Sequence, residues 1–189
     1  FDLDGKFIAG YLGTHGMAHA LDKVLDAAES LRERRDIAFF FAGSGAARAE
    51  VERIVAEKKL DNVRLIPRQP KERMPALWSL CDVTLVPLRD TPVFATVIPS
   101  KIFEALGMGV PILMSLPDGE ATDIIRDTGA GVCVPPEAPV TLAAAILHLA
   151  GDAGRVAALR TAALAAAPQF TRDAQAEKML GVLVQVAQR

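Results

Sequence analysis

Three polar side chains, Ser100, Lys101 and Glu104, stand at the head of the apolar stretch Pro99-Ser100-Lys101-Ile102-Phe103-Glu104-Ala105-Leu106, just after a loop that leaves an apolar strand. Spacings of three and four residues place them on one helix face, and Ile102 and Leu106 anchor the opposite face on a core. A helix start carries unsatisfied N–H groups and the positive end of a macrodipole, so it attracts phosphate. The Ser100 hydroxyl and the Lys101 ammonium add to that attraction, and Glu104, one turn deeper, suits the hydroxyls of a ribose. The chemistry expected is nucleotide binding. A plainer alternative makes Lys101 and Glu104 a surface ion pair worth ~0.3 kcal/mol.

The elements that must position these residues follow from the apolar pattern. Strands are expected at Lys6–Leu12, Ile37–Ala42, Val63–Ile66, Val83–Val86, Val110–Met114 and Gly131–Val134, with helices beginning near His19, Ala46, Lys71, Pro99, Glu120 and Pro139. Continuous runs such as Val83-Thr84-Leu85-Val86 fit parallel strands covered on both faces. Alternation of strand and helix predicts an α/β fold, a doubly wound, six-stranded Rossmann-like parallel sheet. With strand order 3-2-1-4-5-6, the ligand crevice lies at the carboxyl ends of the first and fourth strands. The loops Gly13–Ala18 and Pro87–Ser100 therefore converge there. His15 and His19, in the first of these loops, could donate to phosphate or merely cap the next helix. Gly43-Ser44-Gly45 with Arg48 could approach the nucleotide or simply form a tight turn. Glu120 is either a donor-facing acid or an ordinary first-turn acid. Trp78 reads as core, and His148 as a surface residue. Thr171 is placed to cap a final helix, whose Ala176, Met179, Leu180, Leu183 and Val186 form an apolar face in need of cover.

Composition sets outer limits. A chain of 189 residues, 51% apolar, with a mean hydropathy of +0.25, has ample core for one domain, burying roughly 70% of its unfolded surface. A net charge of −2 argues against nucleic acid and against a polybasic membrane surface. The two cysteines, Cys81 and Cys133, lie in apolar segments and read as buried structural thiols in a reducing compartment. No metal cluster is expected. No signal peptide or membrane-spanning segment is expected from the sequence, and a cytoplasmic location is expected. The chain starts at Phe1 rather than Met, and Asp2-Leu3-Asp4-Gly5 reads as a linker; a piece of a longer protein is expected.

Taken in order, Gly13-Thr14-His15-Gly16 with Leu21-Asp22, Ala42-Gly43-Ser44-Gly45, Asp61-Asn62-Val63, Cys81-Asp82-Val83, Val86-Pro87-Leu88, Ile98-Pro99-Ser100-Lys101-Ile102-Phe103-Glu104, Gly109-Val110-Pro111, Gly119-Glu120-Ala121 and Gly129-Ala130-Gly131 form a specific set. With these the chain resembles the C-terminal, donor-binding half of group 1 retaining glycosyltransferases of GT-B architecture. Within them it is similar to the bacterial O-antigen and capsule branch that includes N-acetylfucosamine transferases. The resemblance implies that residues 1–170 bind a nucleoside-diphosphate sugar as substrate, with no cofactor. It also implies that residues 171–189 form a helix crossing to a missing N-terminal half, which holds a saccharide or lipid-linked acceptor. The full enzyme could then dock at the inner face of the membrane.

The same resemblance assigns roles residue by residue. Glu104 matches the second acid of the family's paired-Glu motif, which bonds the ribose. The first acid falls on Thr96, so the hexose-binding carboxylate is missing, as in the Ile-Pro-Ser-Lys branch, and this suggests a deoxy or N-acetylated sugar. The family's phosphate-binding Arg and Lys fall on Thr14 and His19. Phosphate charge must then rest on Lys101, the helix end and the backbone N–H groups of Gly13–Gly16. Arg68 and Gln69 lie where the family holds the base. The implied activity is retaining glycosyl transfer, with the leaving diphosphate stabilised by Ser100 and Lys101. Three other readings compete: a nucleotide-sugar epimerase of the same architecture, a dinucleotide oxidoreductase domain, and a binding module without catalysis. The second lacks Gly-x-Gly-x-x-Gly after the first strand.

Overall fold

Short apolar runs become the strands of one parallel sheet: β1 (Phe7–Leu12), β2 (Ile37–Ala42), β3 (Val63–Ile66), β4 (Val83–Pro87), β5 (Ile112–Ser115) and β6 (Gly131–Val134). Their order is β3-β2-β1-β4-β5-β6 and every pairing is parallel. This is the expected doubly wound sheet, with the order reversing between β1 and β4. The computed structural model describes residues 3–188; Phe1, Asp2 (the first residue of the stretch expected to be a linker) and Arg189 lie outside the described residues.

Helices α1 (Leu21–Ser30), α2 (Arg48–Lys58), α3 (Met74–Trp78), α4 (Lys101–Met108), α5 (Glu120–Thr128), α6 (Pro139–Ala150), α7 (Ala153–Ala166) and α8 (Arg172–Ala187) complete the chain. Alternation along β1 sends Ile8 and Leu12 into a core with Ile102, Ala105 and Leu106 of α4. Ala9 and Tyr11 enter the opposite core with Leu21, Val24, Leu25 and Ala28 of α1. The sheet thus has one core on each face, as a two-sided parallel sheet requires. Trp78 is buried and His148 exposed, as expected. Cys81 is buried, and burial pushes its thiol up to about 12. Cys133 is only half-buried, because it lies on β6, the edge strand.

Several expected boundaries move for identifiable reasons. Lys6 lies outside β1. Val110 does not begin β5: its N–H bonds back to the Ala105 carbonyl and closes the end of α4. The first helix does not begin at His19. Met17–His19 form a separate 3-10 turn, and Ala20, at φ 43°, breaks the chain before α1. The loop after β4 contains an unexpected 3-10 turn, Pro92–Thr96. Thr171 caps α8, its hydroxyl accepting from the Ala174 N–H at 3.2 Å. On α8, Met179, Leu180, Val182, Leu183, Val184 and Val186 are all exposed. Among the described residues no single helix is long and apolar enough to cross a membrane.

Candidate functional site

The carboxyl ends of β1 and β2 bring two glycine-bearing loops into backbone contact. The Gly13 N–H donates to the Ala42 carbonyl, the His15 N–H to Ser44, and the Ala47 N–H to the His15 carbonyl. A Cβ at Gly43 would lie 1.8 Å from the Gly13 carbonyl oxygen, and one at Gly45 would lie 2.5 Å from that of His15. Gly43 and Gly45 are therefore required for the approach of one loop to the other. Arg48 reinforces the turn: its guanidinium donates to the Ile66 carbonyl at 3.1 Å and pairs with Glu52 at 2.6 Å. Arg48 thus serves the turn, and no nucleotide role is needed to explain it. We expect Gly43→Ala to destabilise the fold by about 2–4 kcal/mol, since backbone opposes the new methyl group. A melting temperature equal to the parent's would contradict this.

This packing consumes donors that the sequence left open. Within Gly13–Gly16, the N–H groups of Gly13 and His15 go to carbonyls and that of Gly16 goes to His19 Nδ1 at 3.1 Å. At the start of α4 the N–H groups of Ile102 and Phe103 bond to the carbonyls of Pro99 and Ser100. Backbone donors therefore contribute less to an anion site than expected. The side chain of Lys101 must contribute more.

Lys101 does not lie on the surface beside Glu104. With about 3.6 residues per turn, it falls next to Ala105 on the stripe that α4 buries, while Ser100 and Glu104 turn outward and are exposed. Its relative exposure is 9%, and Nζ is buried with no hydrogen-bond partner. The surface ion pair is thus not formed. The side chain reaches from the α4 face, over the end of the sheet, to the Tyr11 ring, with Nζ 3.7 Å from the ring centroid. A Cβ at Gly13 would lie 3.8 Å from Nζ, so the ammonium rests against the first loop. The Tyr11 hydroxyl donates to the Thr14 carbonyl at 2.6 Å and fixes the ring.

Around this ammonium stand His15 and His19, their rings 5.6 and 5.9 Å from that of Tyr11. His15 is fully buried, wedged between Tyr11 and Phe41, and neither ring nitrogen has a partner. Burial first, then Arg48 and Lys101, lowers its pKa to about 4. His19 is lowered by burial and then by Lys101, and its Nδ1 is engaged by the turn, as in the capping alternative. Both imidazoles are therefore neutral near pH 7. Burial also lowers Lys101, to about 7, with Glu104 opposing only in part. A cation–π contact of about 2 kcal/mol in a dry site offsets only part of the cost of burying an unpaired ammonium. The arrangement is short of one anion.

A cavity of about 320 Å³ opens beside it, lined by Gly13 and Thr14, Gly43 and Ser44, and Arg68 and Gln69, with Lys71 among the remaining walls and no carboxylate. Gly13 belongs to the cavity and also supports Lys101. The fold thus joins Gly13, Thr14, Gly43 and Arg68 in one cavity and places Lys101, His15 and His19 around Tyr11 next to it. Thr96, Pro99, Ser100 and Glu104 are not part of the cavity wall. The Thr96 hydroxyl donates to the Val93 carbonyl at 2.9 Å, closing its own 3-10 turn. Glu120 is exposed in the first turn of α5 and borders a different groove, with Phe103 and Phe170.

Residues 6–152 match the family described as glycosyl transferases group 1. The chain belongs to this family. It is 30% identical over 145 residues to the putative colanic acid biosynthesis glycosyl transferase WcaI of Escherichia coli K12, covering 76% of this chain and 35% of that protein. It is 31% identical over 140 residues to the probable glycosyltransferase WbjE of Pseudomonas aeruginosa, covering 74% and 34%. The chain spans about a third of the length of these curated relatives. Among solved structures, Anabaena HepE shares the fold at a TM-score of 0.80 and 16% identity, over 97% of this chain and 50% of that one.

In this group 1 glycosyl transferase domain, sequence reasoning passed over Tyr11. A phenol inside a central strand buried on both faces needs a partner for its hydroxyl, and that was the available signal. It also passed over Lys71, and over Arg89 with Asp22 and Glu137, whose positions are joined only by the fold.

Proposed function

We propose that this chain is the donor-binding half of a retaining glycosyltransferase that uses a nucleoside-diphosphate sugar in bacterial surface polysaccharide synthesis. The buried, unpartnered Lys101 ammonium carries the reading: it lies over Tyr11, against the Gly13 loop, and next to a cavity bounded by Arg68. The diphosphate would settle against Lys101 and the nucleoside would enter the cavity. When the anomeric C–O bond breaks, charge builds on the departing diphosphate, where a preorganised cation in a dry site acts most strongly. HepE has been solved with UDP-glucose, and one relative is a putative colanic acid biosynthesis glycosyl transferase, which supports the substrate class and the setting. Thr96 in place of an acid favours a deoxy or N-acetylated amino sugar, as in N-acetylfucosamine transfer. In this reading α8 crosses to an N-terminal acceptor half, and the complete enzyme works in the cytoplasm, at the inner membrane face if its acceptor is lipid-linked.

Thermal shifts with UDP, GDP, ADP and dTDP test the donor site. At ten times the dissociation constant, binding adds ~1.4 kcal/mol, or roughly 3–6 °C for a domain of this size. A shift with one nucleotide identifies the base. Absence of a shift with all four would overturn donor binding by this chain alone.

A further inference from the structure

Arg89, just past β4, ties the turn after β1 to α1 and to the loop after β6. Its guanidinium pairs with Asp22 of α1 at 2.7 Å and with Glu137, in the loop after β6, at 2.8 Å. Its Nε donates to the Met17 carbonyl at 3.4 Å, and its own N–H donates to the Ala18 carbonyl at 2.9 Å. The next N–H, that of Asp90, donates to the second Glu137 oxygen at 2.8 Å. The pairing raises the Arg89 pKa and, led by the Asp90 N–H and then Arg89, lowers that of Glu137.

Backbone strain marks the same network. Only Ala20, Lys59 and Glu137 among the described non-glycine residues have positive φ. Lys59 merely ends α2. Ala20, at φ 43°, lies between the Ala18 and Asp22 anchors, and Glu137, at φ 49°, presents the second carboxylate. Strained residues of this kind persist when their surroundings over-determine them, and they gather at functional sites. The side chains involved are 35%, 32% and 27% exposed, so the ion pairs themselves add little stability. What they fix is geometry.

We propose that Arg89 is a positioning residue for the donor site. It holds the loop 13–19, with His15, His19 and the Gly13 support, in register with the segment that runs from β4 to Lys101. This rests on the donor-site reading above. A lysine could not replace it, since one ammonium cannot supply the planar fork that spans Asp22, Glu137 and a carbonyl together.

The test titrates the parent, Arg89→Ala, Arg89→Lys and Glu137→Gln chains with UDP, GDP, ADP and dTDP by calorimetry, well below each melting temperature. The expected result is a roughly tenfold weaker dissociation constant in Arg89→Ala, the size of coupling found within one network, with a small change in melting temperature. Arg89→Lys should not restore binding, and Glu137→Gln should weaken it in the same direction. Glu137→Gln keeps the fold's shape and decides the matter if Arg89→Ala does not fold. Unchanged affinity in a destabilised variant, or full rescue by lysine, would reduce Arg89 to a structural role and overturn the proposal while leaving the donor reading intact. Failure of the parent to bind any of the four nucleotides overturns both.

Discussion

Replacing Lys101 with methionine should make the ligand-free chain more stable and, in the same protein, remove most of its affinity for nucleoside diphosphates. Both effects come from one atom. Nζ is buried without a hydrogen-bond partner among the described residues, and it is compensated mainly by the Tyr11 ring 3.7 Å away. An apolar side chain of similar length avoids the desolvation penalty; replacing even paired buried charges by apolar residues often gains about 1–4 kcal/mol, or roughly 2–16 °C for a domain of this size. The bound diphosphate loses a charged hydrogen bond worth about 1.5–3 kcal/mol, so affinity should fall by about ten- to 150-fold. Differential scanning calorimetry with and without the nucleotide reads both quantities. A variant that is less stable when free would show that the ammonium is satisfied in the resting protein.

Donor binding should also consume a proton. An unfolded lysine titrates near about 10.4, whereas burial brings Lys101 in the fold to about 7. Between those values the unfolded chain binds more protons, so the ligand-free fold gains stability as pH rises from about 7 towards about 10. A diphosphate beside Nζ favours the charged form and drives the pKa back up. Binding above neutral pH must therefore recharge the amine, and the dissociation constant should rise by up to about tenfold per pH unit between about 7.5 and 9. The last phosphate ionisation, near about 6, lies below this window and does not interfere. Titration in buffers of different ionisation enthalpy should show close to one proton taken up per nucleotide, and Lys101→Met should give a flat profile. An affinity in the parent chain that does not change across this range would remove Lys101 from the phosphate site.

The frame of the molecule was readable because central parallel strands are continuous apolar runs, and their order follows from the alternation with helices. The convergence of the loops after β1 and β4 was readable for the same reason. The direction of Lys101 was not. Spacing alone links residue 101 to residue 104, but the stripe that α4 buries decides where a side chain points, and that depends on Ile102, Ala105 and Leu106 meeting the core. The glycine loops misled in a related way. Gly13–Gly16 offers donors on paper, yet the N–H groups of Gly13 and His15 go to the Ala42 and Ser44 carbonyls and that of Gly16 to His19. Arg89 left no local trace, since Asp22 and Glu137 lie 67 and 48 residues away along the chain.

Helix α8 has a mechanical consequence. Its described residues bury no side chain, and its support lies at its first turns, through the Thr171 cap and a bond from Gln175 Nε2 to the Gln169 carbonyl at 2.8 Å. A single helix of this length is marginal in water without tertiary packing. It is a beam clamped at one end, so backbone amides beyond Lys178 should exchange with solvent through local fraying, while those before it follow the body of the fold.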